Sequence, residues 1–139
     1  MSADPIAALC VELEAFASGR VWGGELPRTE NATMPRDNIV LTPVGRVPGE
    51  GDQGYARLGR IRVDVRCYGA DSHGAFNLWA SVHDALKAMR GHVVELDAGD
   101  VLLHNATISA GPFALHEPDT DWPFALGVYG VSYSEQLVS

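Results

Sequence analysis

The sequence has few of the residues that a DNA-binding protein or a membrane anchor needs. Lysine and arginine together number 10 against 18 aspartates and glutamates, Lys87 is the single lysine, and the net charge is −8. Proteins that grip DNA neutralise its phosphates with such basic residues, so we do not expect tight nucleic-acid binding. No apolar run approaches the roughly 18 residues of a membrane-spanning helix, so we expect no membrane association.

Cysteine is scarce too, with Cys10 and Cys67 the only two. The N-terminal residues lack the basic start and apolar run of a secretory signal. Both observations favour two buried thiols in a reducing cytosol, with a structural disulfide as the alternative.

Motifs for catalysis, metals and cofactors are missing. The sequence has no Cys-x-x-Cys, no glycine-rich phosphate loop and no nucleophile elbow, and no two of its five histidines stand three or four residues apart. A helical two-histidine metal pair is therefore excluded. His83 and Asp84 are adjacent on a predicted helix and point about 100° apart, so they do not face each other. We expect no catalytic residue, no metal ligand and no cofactor.

A nine-residue stretch, 60–68, organises the rest of the chain because its residues alternate strictly in polarity. Such alternation is typical of a strand with one buried and one solvated face. The apolar side is Ile61, Val63, Val65 and Cys67, and the polar side is Arg60, Arg62, Asp64, Arg66 and Tyr68.

Two amphipathic helices are predicted. Asp4 and Pro5 are a helix cap and a first-turn proline, and apolar residues then recur at helical spacing until Ser18 and Gly19. After the central strand, Asp71 or Ser72 opens a second helix that ends at Gly91. Its apolar face holds Ala75, Phe76, Leu78, Trp79, Val82, Ala85, Leu86 and Met89, and we expect Phe76 and Trp79 to anchor the core.

Further β-rich runs lie at 38–44, 93–96, 101–109 and 122–133. Pro43 indicates that the first of them is leaving the sheet or lies at its edge, and Gly111-Pro112 is expected to bend the third. Residues 45–59 read as the tip of a long hairpin, since a compact domain rarely keeps so long a loop without a use. The prediction is one α+β domain over residues 1–139, with a mostly antiparallel sheet of four to five strands and two helices on one face.

Carboxylates cluster at Asp97 and Asp100 and again at Glu117, Asp119 and Asp121. Paired acids support acid–base chemistry or bind a hard cation. The second cluster lacks the glycine and the downstream glutamate of a calcium loop, and turn residues are the favoured interpretation.

The order of these features resembles that of the tail-completion, or tail-terminator, proteins of long-tailed phages and phage-derived gene-transfer particles. After a short helix come Gly19-Arg20-Val21-Trp22, Pro27, and a proline-led strand at residues 34–40. The alternating strand, the second helix and a loop bearing Asp119 and Asp121 follow, then Val128-Tyr129-Gly130-Val131-Ser132-Tyr133.

The resemblance implies a structural virion protein, assembled in the bacterial cytoplasm, without catalysis. It implies a ring of usually six subunits on the head-proximal end of the tail tube, which stops polymerisation, contacts the tail-tube and head–tail connector proteins, and lets DNA pass without specific binding. We expect the long loop to contact a neighbouring subunit or the tube through Pro48, Glu50, Asp52, Gln53 and Tyr55. Glu117, Asp119 and Asp121 are candidate lumen or interface acids.

Three alternatives stay open. A head-completion or connector protein would have the same general architecture. A soluble module would bind a small ligand between helix and sheet near Trp79. A small hydrolytic enzyme would use His83 with Asp97 or Asp121 and requires those side chains to converge in a concave pocket.

Overall fold

A computed structural model describes residues 4–47, 57–97 and 99–137. The elements in chain order are α1 (Pro5–Leu13), β1 (Val21–Gly23), β2 (Asn38–Val47), β3 (Arg57–Tyr68), α2 (Ser72–Ala88), β4 (His92–Leu96), β5 (Gly99–His116) and β6 (Pro123–Leu137). Two single 3-10 turns, Glu14–Phe16 and Arg28–Glu30, lie on either side of β1. The predicted α+β class is confirmed.

The strands form one sheet in the order β1-β2-β3-β6-β5-β4. Every neighbouring pair is antiparallel except β1 and β2. The sheet therefore has six strands where four to five were predicted. The additional strand is β1, whose three residues are too few to show a period and become a strand only by pairing with residues 39–41 of β2.

Both helices pack on one face of the sheet and share its core, as predicted. Asp4 caps α1 by accepting from the Ile6 amide at 2.9 Å, and Asp71 caps α2 by accepting from the Gly74 amide at 2.6 Å. The core joins apolar residues of both helices to the predicted buried side of β3. Trp79 is buried in it, but the prediction for Phe76 was wrong: its side chain is 45% exposed, because it stands at the margin of the apolar stripe.

The opposite face of the sheet carries a smaller apolar cluster at one end. Val40, Tyr68 and Phe124 form it, and Trp22, Leu26, Met34, Trp122 and Leu126 pack against it. The segment 24–37 covers this cluster through Leu26 and Met34. Its anchor is an ion pair in which the Arg36 guanidinium donates to both carboxylate oxygens of the buried Glu30, at 2.8 Å each.

Several strand ends differ from the prediction because pairing carries the strands further than local sequence indicates. β2 ends at Val47 and β3 begins at Arg57, so six residues of the predicted hairpin tip 45–59 belong to the strands themselves. β5 continues past Gly111-Pro112 to His116, with register shifts between Ile108 and Phe113 instead of a strand end. Both thiols are free, and burial raises the pKa of Cys10 to about 11.

Candidate assembly surfaces

The outer half of β5 is an open sheet edge. β4 pairs only with residues 99–103, whereas β6 follows β5 all the way to His116. Every residue from 107 to 116 is exposed, and Ile108, Phe113 and Leu115 are large apolar side chains among them. An unpaired strand edge with apolar side chains is a template for another chain. We call β5 residues 107–116, together with the β6 residues paired to them, the outer hairpin.

Sequence reasoning missed the outer hairpin, since it placed a bend at Gly111-Pro112 and a loop beyond. The short apolar run Phe113-Ala114-Leu115 was the available signal. Gly111 is needed where it stands: its φ is +99°, and a Cβ there would lie 2.6 Å from the Leu126 carbonyl oxygen. The close approach of the β6 backbone to Gly111 keeps β5 and β6 together across the register shifts.

A second projecting element is the β2–β3 hairpin. β1 pairs with β2 only as far as Leu41, so Pro43 lies where that side of the sheet has become an edge, as predicted. The candidate contact residues Pro48, Glu50, Asp52, Gln53 and Tyr55 lie outside the described residues. Their proposed role as a contact loop stays a prediction.

The three candidate acids lie in the turn between β5 and β6, at one end of the outer hairpin. Glu117 is half-buried and accepts a hydrogen bond from the Tyr68 hydroxyl, and the Asp121 amide donates to the Glu117 carbonyl at 2.9 Å. Burial and the Glu117 carboxylate raise the pKa of Tyr68. Asp119 and Asp121 are exposed to solvent. Glu117 therefore fastens the turn to β3, while Asp119 and Asp121 are available to a partner.

An aromatic cluster on the helix side of the sheet bears on the enzyme and ligand alternatives. His83 stacks on Trp79 with ring centroids 4.8 Å apart, and its Nδ1 lies 2.8 Å from the Tyr129 hydroxyl. A Cβ on Gly127 would lie 2.6 Å from Trp79 Nε1 and 2.8 Å from Tyr129. The two rings therefore pack directly against the backbone of Gly127. A concavity of about 210 Å³ lies near the other end of α2, between Glu12, Met89 and His92, and does not include Trp79.

The enzyme alternative requires His83 to meet Asp97 or Asp121, and these two acids lie far apart in the fold. Asp97 is in the turn that precedes β5, and Asp121 is in the turn that follows it. The 18 residues of β5 separate the two turns, a length along the strand of roughly 60 Å at the usual rise per residue. His83 has Tyr129 and Trp79 as its partners. Among the described residues, no hydrogen bond or ion pair joins His83 to Asp97 or to Asp121.

No group of three or more histidine, cysteine, aspartate or glutamate side chains in ranges 4–47, 57–97 and 99–137 could hold a metal ion. Within the same ranges, no helix has the length and apolar character needed to cross a membrane.

Comparison with known proteins adds one finding. A chain in the virion of a native gene transfer agent (GTA) particle has this fold. The two chains superpose with a TM-score of 0.58 at 18% sequence identity, over 93% of each chain. No protein-family model and no curated protein sequence matches the chain. At that identity the GTA chain establishes the fold, and its coverage shows that the likeness extends over nearly the whole length of both chains.

Proposed function

We propose that this protein is a structural component of a phage-like particle, located in the virion at the neck of the tail. In this proposal, copies of the chain form a ring of six at the head-proximal end of the tail tube and end its polymerisation. The observation that carries the proposal is the fold shared with a GTA virion chain over 93% of both chains. The order of sequence features that resembles tail-terminator proteins supports the same conclusion.

The shape of the subunit suits a ring. A closed ring needs two different patches on each subunit that meet head to tail. The helix-covered core supplies a rigid body, and the outer hairpin adds an open strand edge with the half-exposed apolar side chains Phe113 and Leu115. Pairing along such an edge is a common mode of recognition between chains. We therefore propose that the outer hairpin is one of the contact surfaces of the assembled particle.

The charge of the chain suits a channel that DNA crosses. A wall of negative charge repels the phosphate backbone and lets DNA slide without adhering, and the net charge is −8. Asp119 and Asp121 are exposed at a turn and are the acids we propose to face the lumen or a neighbouring subunit. The other partners in this proposal are the tail-tube protein and the head–tail connector protein, and the subunits assemble in the bacterial cytoplasm. No catalysis is part of the proposed role.

The test is to delete the gene from its parent particle and to image the lysate by electron microscopy. We expect abnormally long or unattached tail tubes, because nothing then stops polymerisation. Tails of normal length beside unjoined or emptied heads would instead assign the protein to head completion. Intact particles in normal numbers would refute a structural role and reopen the enzyme and ligand-binding alternatives. Expression of the gene in trans is the control and restores normal tails.

A further inference from the structure

The face of the sheet opposite the helices is divided by charge. Residues directly opposite each other in antiparallel strands lie on the same face. Arg60 pairs with Ser132 across β3 and β6, and Leu102 pairs with Ser134 across β5 and β6. These register pairs identify the residues of β3, β6, β5 and β4 that lie on this face near the β2–β3 hairpin. We call this region the open face, since the segment 24–37 covers only the other end.

The β3 side of the open face is basic. Arg60 and Arg62 point to it, and Asp64 follows them on the same face, whereas Arg66 lies at the covered end with its guanidinium 5.6 Å from the centre of the Phe124 ring. Arg60 and Arg62 are exposed, and among the described residues neither has an ion-pair partner. Gly130 of β6 leaves room for the Arg60 guanidinium, which lies 3.3 Å from where a Cβ would stand. In a chain with ten basic residues, this is a concentration of positive charge.

The β4 side of the open face is acidic. Glu95 lies directly opposite Asp100, and Leu102, two residues after Asp100, lies opposite Val93. Glu95 is exposed, Asp100 is half-buried, and the Val93 side chain is 55% exposed. Like charges directly opposite on one face destabilise a strand pair, and no described basic side chain forms an ion pair with either acid. We call Glu95 and Asp100 the acidic corner.

The two charged regions are too far apart to neutralise each other within one subunit. β3 and β4 are separated by β6 and β5 in the sheet, a distance of roughly 14 Å at the usual strand spacing. That distance exceeds the screening length of about 8 Å at physiological salt. A neighbouring subunit can bring opposite charges into contact, and burial there makes each pair stronger than it would be in water.

We propose that a second copy of this chain docks on the open face, with its acidic corner against Arg60 and Arg62. The contact joins the acids of one copy to the arginines of the next, and in the proposed ring it repeats head to tail around the assembly. Val93 adds apolar surface beside the acids. The inference rests on the proposed ring for its biological setting, but the contact itself is testable on the purified chain.

The first test uses charge reversal and mixing of full-length chains in sedimentation velocity at about 0.05 M salt, where screening is weak. Arg60→Glu with Arg62→Glu, or Glu95→Lys with Asp100→Lys, should weaken self-association at least tenfold. A one-to-one mixture of the two variants should restore a complex, since the acids of the first still meet the arginines of the second. The control variant Arg28→Glu with Lys87→Glu changes the net charge by as much as the arginine reversal does, at exposed positions elsewhere. It should self-associate as the wild type does.

A second measurement uses smaller changes that leave folding intact. Chains carrying Arg62→Cys and chains carrying Glu95→Cys, mixed and oxidised, should give a disulfide-linked dimer in the mixture and much less in either chain alone. A charge-reversed arginine variant that associates like the wild type overturns the proposal. The proposal is also overturned if the mixed charge-reversed variants form no complex in sedimentation and the mixed cysteine variants form no disulfide-linked dimer.

The two proposals fail separately. Abnormal tails on gene deletion, together with no association through these charges, would retain the neck function and reject this interface. Intact particles, together with mixing-dependent association, would retain the interface and reject the ring.

Discussion

At the glycines of β6, the neighbouring side chains decide whether a larger residue could take the position. Gly127 is the clearest case, because the rings of Trp79 and Tyr129 occupy the space where a side chain would be. Gly130, three residues later on the same strand, meets only the end of the flexible Arg60 side chain. Two glycines that look equivalent in the sequence therefore have different structural requirements.

We expect Gly127→Ala to lower the free energy of unfolding by about 2 kcal/mol, since overpacking of a rigid aromatic cluster is destabilising. Gly130→Ala is the matched control and should change it by less than about 0.5 kcal/mol, because the Arg60 guanidinium moves aside easily. Denaturant unfolding of the three proteins measures the difference. Equal stabilities of the two variants would show that the aromatic rings do not hold their positions tightly.

Glu30 gives a prediction about pH. Hydrogen bonds from Arg36, and the positive charge of that side chain, hold the pKa of the Glu30 carboxyl below its usual value of 4.5. A group whose pKa is lowered by folding stabilises the protein above its unfolded-state pKa, and this stabilisation is lost as pH falls through the folded-state pKa. Above about pH 5, Glu30→Gln should cost about 1 kcal/mol, a modest value because water reaches Arg36 and weakens the pair.

Unfolding in urea at pH 7 and at several values below 4.5 measures this effect. The difference between wild type and Glu30→Gln should be constant near neutrality and shrink as the pH falls. Glu25→Gln, at an exposed position in the same segment, is the control and should follow the wild type. A Glu30→Gln deficit that is unchanged at low pH would mean that the carboxylate charge is not what fastens the segment 24–37.

At the scale of elements, the two helices and the central strand follow from local patterns, whereas the outer hairpin does not. Asp4 and Asp71 cap their helices as the sequence indicates. The β5 residues beyond Gly111 lie in a strand only because β6 is beside them. Among the described residues, no strand pairs with the other edge of β5 beyond Leu103, which is why we propose a role in assembly for this segment.

We expect Phe113→Ser with Leu115→Ser to reduce the yield of joined particles at least tenfold. The isolated subunit should lose about 2 kcal/mol of unfolding free energy and remain folded, since each side chain is only a little over half buried in it. Complementation of the gene deletion, with joined particles counted by electron microscopy, measures the yield. Phe76→Ser is the control, because Phe76 is equally exposed but lies on α2. A normal yield from the double variant would remove the outer hairpin from the assembly.

At the scale of the whole molecule, the question is what the β2–β3 hairpin does. We expect removal of residues 48–54 to leave the subunit folded, because the nine register pairs of β2 with β3 all lie outside that segment. Ring formation and tail capping should be lost if the loop contacts a neighbouring subunit or the tail tube. Circular dichroism of the purified chain and electron microscopy of complemented lysates separate folding from assembly. Normal capping by the shortened chain would exclude the loop as a contact.

The sequence by itself determined the fold class, both helix caps, the central strand and which of its faces is buried. These features depend on spacing and on residues near one another in the chain, so local physics decides them. The tertiary structure decided the sixth strand, the length of β5, the exposure of Phe76, and the separation of Asp97 from Asp121. It also decided that the arginines of β3 and the acids Glu95 and Asp100 share one face, because strand order and register join residues that are distant in sequence.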